Sequence, residues 1–248
     1  RSGRKIFCDG ATAQLADLRC PAVASASALA AKVDLLLVFG GDGTMLRVAR
    51  ELTGAQTPIL GVKVGGLGFL TPVPSSQLPA ALKQIWAGEF LIESRPLIEA
   101  SGKGQGKKIA EVALNDFVIS RGATSRLIEL AVTVDAEELT RYRCDGLIVS
   151  SPTGSTAYSL AAGGAIVSPD SEVLTITPIC PHTLSNRSVL VPMTSIVQVT
   201  VLSERVDTIL TADGQVQTPL TTGDFVQIRQ SKMSVRLLRL RGSSFFQT

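Results

Sequence analysis

Three glycines around one carboxylate, Gly40-Gly41-Asp42-Gly43-Thr44, stand between the apolar run Leu35-Leu36-Leu37-Val38-Phe39 and the helix-like Met45-Leu46-Arg47-Val48-Ala49-Arg50. That order predicts a strand, a tight loop and a helix. Glycines at these positions let backbone N–H groups close on a phosphate, and the N-terminus of the following helix adds partial positive charge. The carboxylate does not belong in a loop that only holds phosphate, because it repels the ligand. A Walker loop carries Lys at such a site, and no G-x-x-x-x-G-K-[ST] occurs in the chain. Asp42 therefore points to chemistry: a phosphotransferase in which it accepts the proton of an attacking hydroxyl, the part a catalytic-loop Asp plays in protein kinases. The competing reading is a Gly-Asp-Gly turn that caps a helix.

A second constellation runs from Asp145-Gly146 through Ser150-Ser151-Pro152-Thr153-Gly154-Ser155-Thr156-Ala157-Tyr158 to Gly163-Gly164. A short strand breaks at Pro152 into a stretch dense in hydroxyls, and the small residues after Ser155 predict a helix with Ser or Thr at its cap. Short hydrogen-bonding groups, one aromatic ring and a helix N-terminus together suit a nucleoside and its phosphates. The alternative is an ordinary strand-to-helix connection with a well-made cap.

The segments that must position these groups follow two grammars. Up to about residue 95, apolar strands alternate with helical stretches: Leu35–Phe39, Met45–Leu52, Pro58–Val62 and Ser76–Trp86. This is the βαβ rhythm of a parallel sheet covered by helices. From about residue 110 the chain reads as β: Val197–Val201 and Phe225–Arg229 alternate with period two, while Asp213-Gly214 and Gly223-Asp224 signal turns. The glycine- and lysine-rich Ser101–Lys108 is flanked by strand-like residues and reads as an exposed hairpin loop, with a basic phosphate-binding loop as the alternative. No internal repeat is present.

Composition excludes several classes. The 248 residues suffice for one large domain or two ordinary ones with a real core. Although 45% of residues are hydrophobic, the apolar runs are far shorter than a membrane span needs, and the N-terminus lacks the apolar region of a secretory signal. Net charge is +3 with only 4% aromatic residues, which suits anionic small molecules and not nucleic acid, whose binding needs a clustered basic face. Cys8, Cys20, Cys144 and Cys180 form no C-x-x-C pair, so neither a zinc site nor a disulfide framework is expected, and reduced thiols in a cytoplasmic protein are the default. Cys180-Pro181-His182 holds the only histidine and is half a metal site at best. Trp86 is expected in the core and Tyr142 in a strand.

Taken in order, Gly40–Thr44, Asn115-Asp116 and Asp145-Gly146 through Thr153-Gly154-Ser155-Thr156-Ala157-Tyr158 resemble the motif set of the NAD kinases. Leu67-Gly68-Phe69-Leu70, Pro178–His182, Asp213-Gly214-Gln215 and Ser244-Phe245-Phe246 support the resemblance, which covers nearly the whole chain from Ala11. It implies an N-terminal Rossmann-like α/β domain, 1–95 joined by the C-terminal segment 237–248, and a C-terminal β-sandwich, 96–236. It also implies phosphoryl transfer from ATP, or inorganic polyphosphate, to the 2′-hydroxyl of the adenosine ribose of NAD. Asp42 resembles the general base, and the backbone of Gly40, Gly41, Gly43 and Thr44 would face the phosphates with Arg47 in reach. Asn115 and Asp116 match a pair contacting the adenosine part of NAD; Thr156, Ala157 and Tyr158 match the lining of the adenine, with Ala161 keeping room behind it, and Thr153 matches a further NAD-binding position. Arg126 and Gln215 match further NAD contacts, whereas Arg143, Asp145 and His182 match positions close to the NAD of a neighbouring subunit. Mg²⁺ is expected with the nucleotide phosphates, and a homodimer or homotetramer with no nucleic-acid or membrane partner. Lys63 stands where the family usually has Asn, placed to pair with a phosphate or with Asp42. Two other readings remain: a lipid kinase of the same superfamily, which would have a broad apolar pocket, and a catalytically silent NAD-sensing module.

Overall fold

The computed structural model describes residues 3–66, 68–123, 126–182, 187–204 and 206–242. Leu67 and Ser244-Phe245-Phe246, used above, lie outside the described residues. The chain forms two compact units, one built from the chain up to Arg95 together with the segment from Met233 onward, the other from Pro96–Lys232.

The first unit is α/β. Strand β1 (Cys8–Asp9) pairs in parallel with β2 (Ala22–Val23) across the short helix α1 (Gly10–Leu15), whose N-cap Asp9 accepts the Thr12 N–H at 3.0 Å. Helix α2 (Ala26–Ala30) is capped likewise by Ser25, which accepts the Ala28 N–H at 3.2 Å. These side-chain acceptors satisfy N–H groups that a helix start leaves without partners. Then β3 (Leu36–Gly40) leads into α3 (Asp42–Glu51), and β4 (Ile59–Lys63) lies parallel to β3 from Leu36↔Ile59 to Gly40↔Lys63. Strand β5 (Val73–Pro74) and Leu237, from the last strand of the chain, also pair with β4 in parallel. Met45, Leu46, Val48 and Ala49 form the buried stripe of α3, at the helical spacing that its sequence carries. Helix α4 (Leu78–Trp86) starts with Pro in its first turn and buries Ala81 in a cluster with Leu60, Val73 and Leu238.

Two sequence expectations are corrected here. Cys8 and Cys20 form a disulfide with a Cα–Cα distance of 6.3 Å, whereas buried Cys144 and exposed Cys180 are free. The bridge joins two segments that the β1–β2 pairing brings together, and spacing alone carries no trace of that proximity. Trp86 is 46% exposed, not in the core, and the guanidinium of Arg4 lies 4.4 Å from its ring centroid. A cation over an indole face is an attraction available at an exposed site.

The second unit is almost all β. Long strand β6 (Phe90–Gly104) turns at Gln105-Gly106 into β7 (Lys107–Ala113), so the glycine- and lysine-rich stretch is a hairpin. Next come β8 (Asp116–Arg121), β9 (Ile128–Val134), β10 (Glu137–Cys144) and β11 (Gly146–Ser150). After α5 (Tyr158–Ala161) follow β12 (Val173–Ile179), β13 (Val189–Pro192), β14 (Val197–Val201), β15 (Thr208–Ala212), β16 (Val216–Leu220) and β17 (Phe225–Leu240). One antiparallel sheet has the order β13-β12-β11-β8-β15-β16; in the other, β10, β9, β14 and β17 are successive neighbours. Ile128, Leu130 and Val132 of β9 and Val197, Val199 and Val201 of β14 pack with Phe117, Ile119, Leu147, Val149, Leu174 and Leu210 of the facing sheet. This is the interior of a sandwich, with alternate residues turned inward. Among the described residues no helix is long and apolar enough to cross a membrane.

Candidate active site

In the first unit the chemistry centres on Asp42. Gly41 is the N-cap of α3 and makes no side-chain cap bond, and Thr44 and Met45 donate their N–H groups to the Gly41 carbonyl. Asp42 is thus the first residue of the helix, where a negative charge meets the positive end of the helix dipole. Its carboxylate does not cap the helix, which corrects the turn-capping alternative. It reaches another segment, Oδ2 accepting the Phe69 N–H and Oδ1 the Leu70 N–H, both at 2.9 Å.

Two glycines make this close approach possible. A Cβ on Gly68 would lie 2.5 Å from Asp42 Oδ1, and a Cβ on Gly61 would lie 2.2 Å from the Leu70 carbonyl oxygen. The 68–71 segment therefore lies directly on β4 and closes over the carboxylate. Each carboxylate oxygen has about two acceptor sites, so a fixed Asp42 still has sites for a substrate hydroxyl. A Cβ on Gly40 would sit 2.5 Å from Thr44 Oγ1, while one on Gly41 would meet nothing within 4 Å, so the outer side of the loop is open. Arg47 pairs with Glu51 at 3.2 Å, one turn further from the loop. Among the described residues no ion pair joins Lys63 to Asp42; Lys63 sits beside Gly40 at the ends of β3 and β4.

In the second unit, Asn115 and Asp116 lie at the entry to β8, opposite the end of β11, where Ser150 pairs with Asp116. The hydroxyl-rich stretch is stitched to them. Ser151 donates its N–H to the Asn115 carbonyl at 2.8 Å and its hydroxyl to the Leu114 carbonyl at 2.5 Å, while Gly154 donates to Ser151 Oγ at 3.2 Å. A Cβ on Gly154 would sit 2.2 Å from the Asn115 carbonyl oxygen. Ser155 Oγ accepts the Val167 N–H at 3.0 Å, and Ser159 Oγ meets Thr177 Oγ1 at 3.0 Å. The predicted Ser/Thr-capped helix is corrected: Thr153–Thr156 is a 3₁₀ turn, and α5 spans four residues behind Ala157 with no side-chain cap. The hydroxyls of Ser151, Ser155 and Ser159 fasten the loop from within. Asn115 Oδ1 and Thr153 Oγ1 are buried without a hydrogen-bond partner among the described residues, a state that costs about 1–3 kcal/mol per group and that a polar ligand relieves. Tyr158 is 48% exposed, its ring available for stacking.

Burial first, and then the neighbouring Asp213 carboxylate, push Asp116 from the ordinary 3.8 up to about 7. Between these values the folded chain binds more protons than the unfolded chain, so stability falls as pH rises through that window. Replacing Asp116 with Asn, which mimics the protonated form, is expected to stabilise the protein at pH 8 by up to about 4 kcal/mol and to change little near pH 4. Denaturant titrations of both proteins at the two pH values check this; equal differences at both pH values would refute it.

Arg143, Asp145 and His182 gather elsewhere in the same unit. Arg121 Nε donates to Asp145 Oδ1 at 2.7 Å, and the His182 N–H donates to the Arg143 carbonyl at 2.8 Å. Arg126 precedes Ile128, whose partner in register is Cys144, and so belongs to this end. Gly146 opens β11 opposite Ser120 and Ser150 closes it opposite Asp116. The two groups are therefore separated by a five-residue strand, about 16 Å. Gln215 falls with the first group, in the turn after β15, where its N–H donates to the Ala212 carbonyl at 2.9 Å. The structure thus brings Asn115, Asp116, Thr153 and the Gln215 turn to one end and Arg126, Arg143, Asp145 and His182 to the other. Sequence reasoning missed the Phe69 and Leu70 amides on Asp42 and the Leu114, Asn115 and Asp116 amides on the Asp213 carboxylate. The Gly68 and Asp213-Gly214 signals were visible, but which carboxylate meets which amide depends on contacts far apart in the chain.

Residues 21–90 match the ATP-NAD kinase N-terminal domain, and residues 114–240 match the ATP-NAD kinase C-terminal domain. The chain belongs to the ATP-NAD kinase family. It is 44% identical over 216 residues to an NAD kinase of Syntrophotalea carbinolica, covering 87% of this chain and 76% of that one. It is 43% identical over 235 residues to an NAD kinase of Moorella thermoacetica, covering 95% and 76%. Among solved structures, the yeast NADH kinase complexed with NADH has a TM-score of 0.85 at 28% identity, covering 97% of this chain and 74% of that one. An NAD kinase from Archaeoglobus fulgidus in complex with ATP has a TM-score of 0.76 at 26% identity, covering 98% and 96%. As an ATP-NAD kinase the chain is a phosphotransferase acting on NAD, and neither the lipid-kinase nor the silent-sensor alternative finds support in these matches.

Proposed function

We propose that this ATP-NAD kinase transfers the γ-phosphoryl group of ATP to the 2′-hydroxyl of the adenosine ribose of NAD, with Asp42 as general base. The 2′-oxygen forms a bond to the γ-phosphorus, the bond to the bridging oxygen of ADP breaks, and the hydroxyl proton passes to the Asp42 carboxylate. The observation that carries this reading is the anchoring of Asp42 by the Phe69 and Leu70 amides beside an open glycine loop: a base must be fixed and still have free acceptor sites.

In this reading the backbone of Gly40, Gly41, Gly43 and Thr44 faces the phosphates, with Arg47 adding charge from the helix. Asn115, Asp116, Thr153 and Gln215 contact NAD, and Thr156, Ala157 and Tyr158 line the adenine with Ala161 behind them. Arg126, Arg143, Asp145 and His182 contact NAD too, the last three that of a neighbouring subunit. The ~16 Å of strand between Asp116 and Asp145 exceeds the reach of one adenosine, which supports a second chain for Arg143, Asp145 and His182. The protein would then be a homodimer or homotetramer. Among the described residues no group of three or more His, Cys, Asp or Glu converges to hold a metal ion. Mg²⁺ would come with the nucleotide and would neutralise phosphate charge there.

Incubation with NAD, ATP and Mg²⁺ is expected to yield NADP, with inorganic polyphosphate as the second donor to try. Replacing Tyr158 with Ala should weaken NAD binding by ~1–3 kcal/mol, the order of a lost stacking contact, with a smaller effect on ATP. Equal weakening of both nucleotides, or of neither, would make the 153–161 loop a structural cap.

A further inference from the structure

Asp213 sits where a hairpin needs an unusual backbone. Asp213 and Gly214 have φ of +49° and +67°, and the Gln215 N–H donates to the Ala212 carbonyl at 2.9 Å, so both central residues of this turn take positive φ within the three-residue connection between β15 and β16, where Ala212 pairs with Val216. An Asp-Gly pair satisfies that turn, and so would Asn-Gly. The turn therefore accounts for a residue able to take positive φ and leaves the negative charge unexplained.

The carboxylate reaches away from its own hairpin. It is 7% exposed, and it accepts the N–H groups of three successive residues, Leu114 on Oδ2 at 3.0 Å and Asn115 and Asp116 on Oδ1 at 2.8 and 3.3 Å. In return the Asp213 N–H donates to the Asp116 carbonyl at 3.0 Å. Three amides pointing at one carboxylate fix the backbone of the segment that enters β8, and charge-assisted bonds of this kind are about twice as strong as neutral ones. The same segment is clamped from its other side by Ser151 and Gly154.

We infer that Asp213 is a positioning residue for NAD: its carboxylate sets the backbone of Leu114–Asp116 so that Asn115 and Asp116 meet the dinucleotide. The inference rests on the reading of those two side chains as NAD contacts and deepens it. Asp213 itself touches no reacting atom. Its proximity to the buried Asp116 carboxyl, which titrates unusually high, is the cost of placing that charge here. A residue kept only for the turn would not carry it.

The test separates turn from charge. Asp213→Asn and Asp213→Gly both preserve a turn that tolerates positive φ, yet both remove the charged acceptor. The expected result is a rise of about tenfold in KM for NAD, the scale of one or two lost charge-assisted bonds. Isothermal titration should show a matching loss of NAD affinity while KM for ATP stays close to that of the parent; the melting temperature falls more in Asp213→Gly, which leaves three amides without an acceptor, than in Asp213→Asn, which keeps one acceptor oxygen. Wild-type KM for NAD in both variants overturns the inference, as does an equal rise in KM for both nucleotides. Asn115→Ala is measured in parallel. If it weakens NAD binding while the Asp213 variants do not, the positioning role fails alone; if it leaves NAD binding intact, the underlying assignment of NAD contacts fails with it.

Discussion

Replacing Asp42 with Asn is expected to lower turnover by ~10²–10⁴-fold, the contribution of a general base, while NAD still binds. The size of that loss distinguishes two roles the carboxylate could play. If Asp42 serves only to hold the 68–71 segment, Asn exchanges one acceptor for a donor facing the Phe69 or Leu70 N–H. The loss is then one charge-assisted hydrogen bond, about 1.5–3 kcal/mol, and it falls on folding and on NAD binding rather than on turnover at saturating substrate. If Asp42 also takes the proton of the 2′-hydroxyl, the barrier rises by about 3–5 kcal/mol and the loss appears in turnover while NAD binding is kept. Turnover at saturating NAD and ATP, with NAD binding by calorimetry and thermal unfolding on the same samples, reads the two apart. Turnover within tenfold of the parent would remove Asp42 from the chemistry.

The sequence conveys the α/β-then-β order because the relevant signals are local. Leu36 and Val38 of β3, the buried stripe Met45–Ala49 of α3, and Val197, Val199 and Val201 of β14 show in the chain as periodicities of two or 3.6. Asp213-Gly214 is legible as a turn for the same reason. What the chain conceals depends on residues far apart in it. Helix α3 starts at Asp42, earlier than the apolar pattern indicates, because the Gly41 carbonyl accepts the first helical N–H groups. The hydroxyls of 150–159 invite a reading as ligand groups, yet Ser151, Ser155 and Ser159 bond to residues 114, 167 and 177, which no local pattern announces. Cys8 and Cys20 pair because two short strands lie side by side. Trp86 lies outside the face of α4 that buries Ala81.

Glycine is the residue type through which sequence and site connect most directly. Gly61, Gly68 and Gly154 lie in strand, loop and 3₁₀ backbone that other residues adopt, so φ does not require them. Space does: each would place a Cβ within 2.5 Å of a backbone oxygen or of the Asp42 carboxylate. Two of these contacts set Asp42 and the third sets Asn115. A glycine count in the sequence carries no such information until the chain opposite each one is known.

Two inactive variants, Asp42→Asn and Asp145→Ala, are expected to recover activity when mixed and allowed to exchange subunits. Asp145 stands at the far end of β11 from Asp116, and in the proposed assembly the Asp145 that serves a dinucleotide held at the Asn115–Asp116 end comes from another chain. In a mixed dimer, one site then has Asp42 from the Asp145→Ala chain and Asp145 from the Asp42→Asn chain, both intact, and the other site has both defects. Random exchange makes half the dimers hybrid, and about a quarter of all sites regain a full set in a symmetric two-chain assembly. Asp145→Ala also removes the ion pair with Arg121, whose side chains are 32% and 30% exposed. A pair so exposed contributes about 0–1 kcal/mol, so the variant should still fold, and its loss of activity reports on NAD contact. Activity of the mixture is compared with that of each variant alone at equal total concentration, before and after exchange. Dilution below the dissociation constant of the assembly should abolish the recovered activity. A mixture that never exceeds its components, or a fully active protein that sediments as a monomer, would place Asp145 and Asp42 in separate roles within one chain.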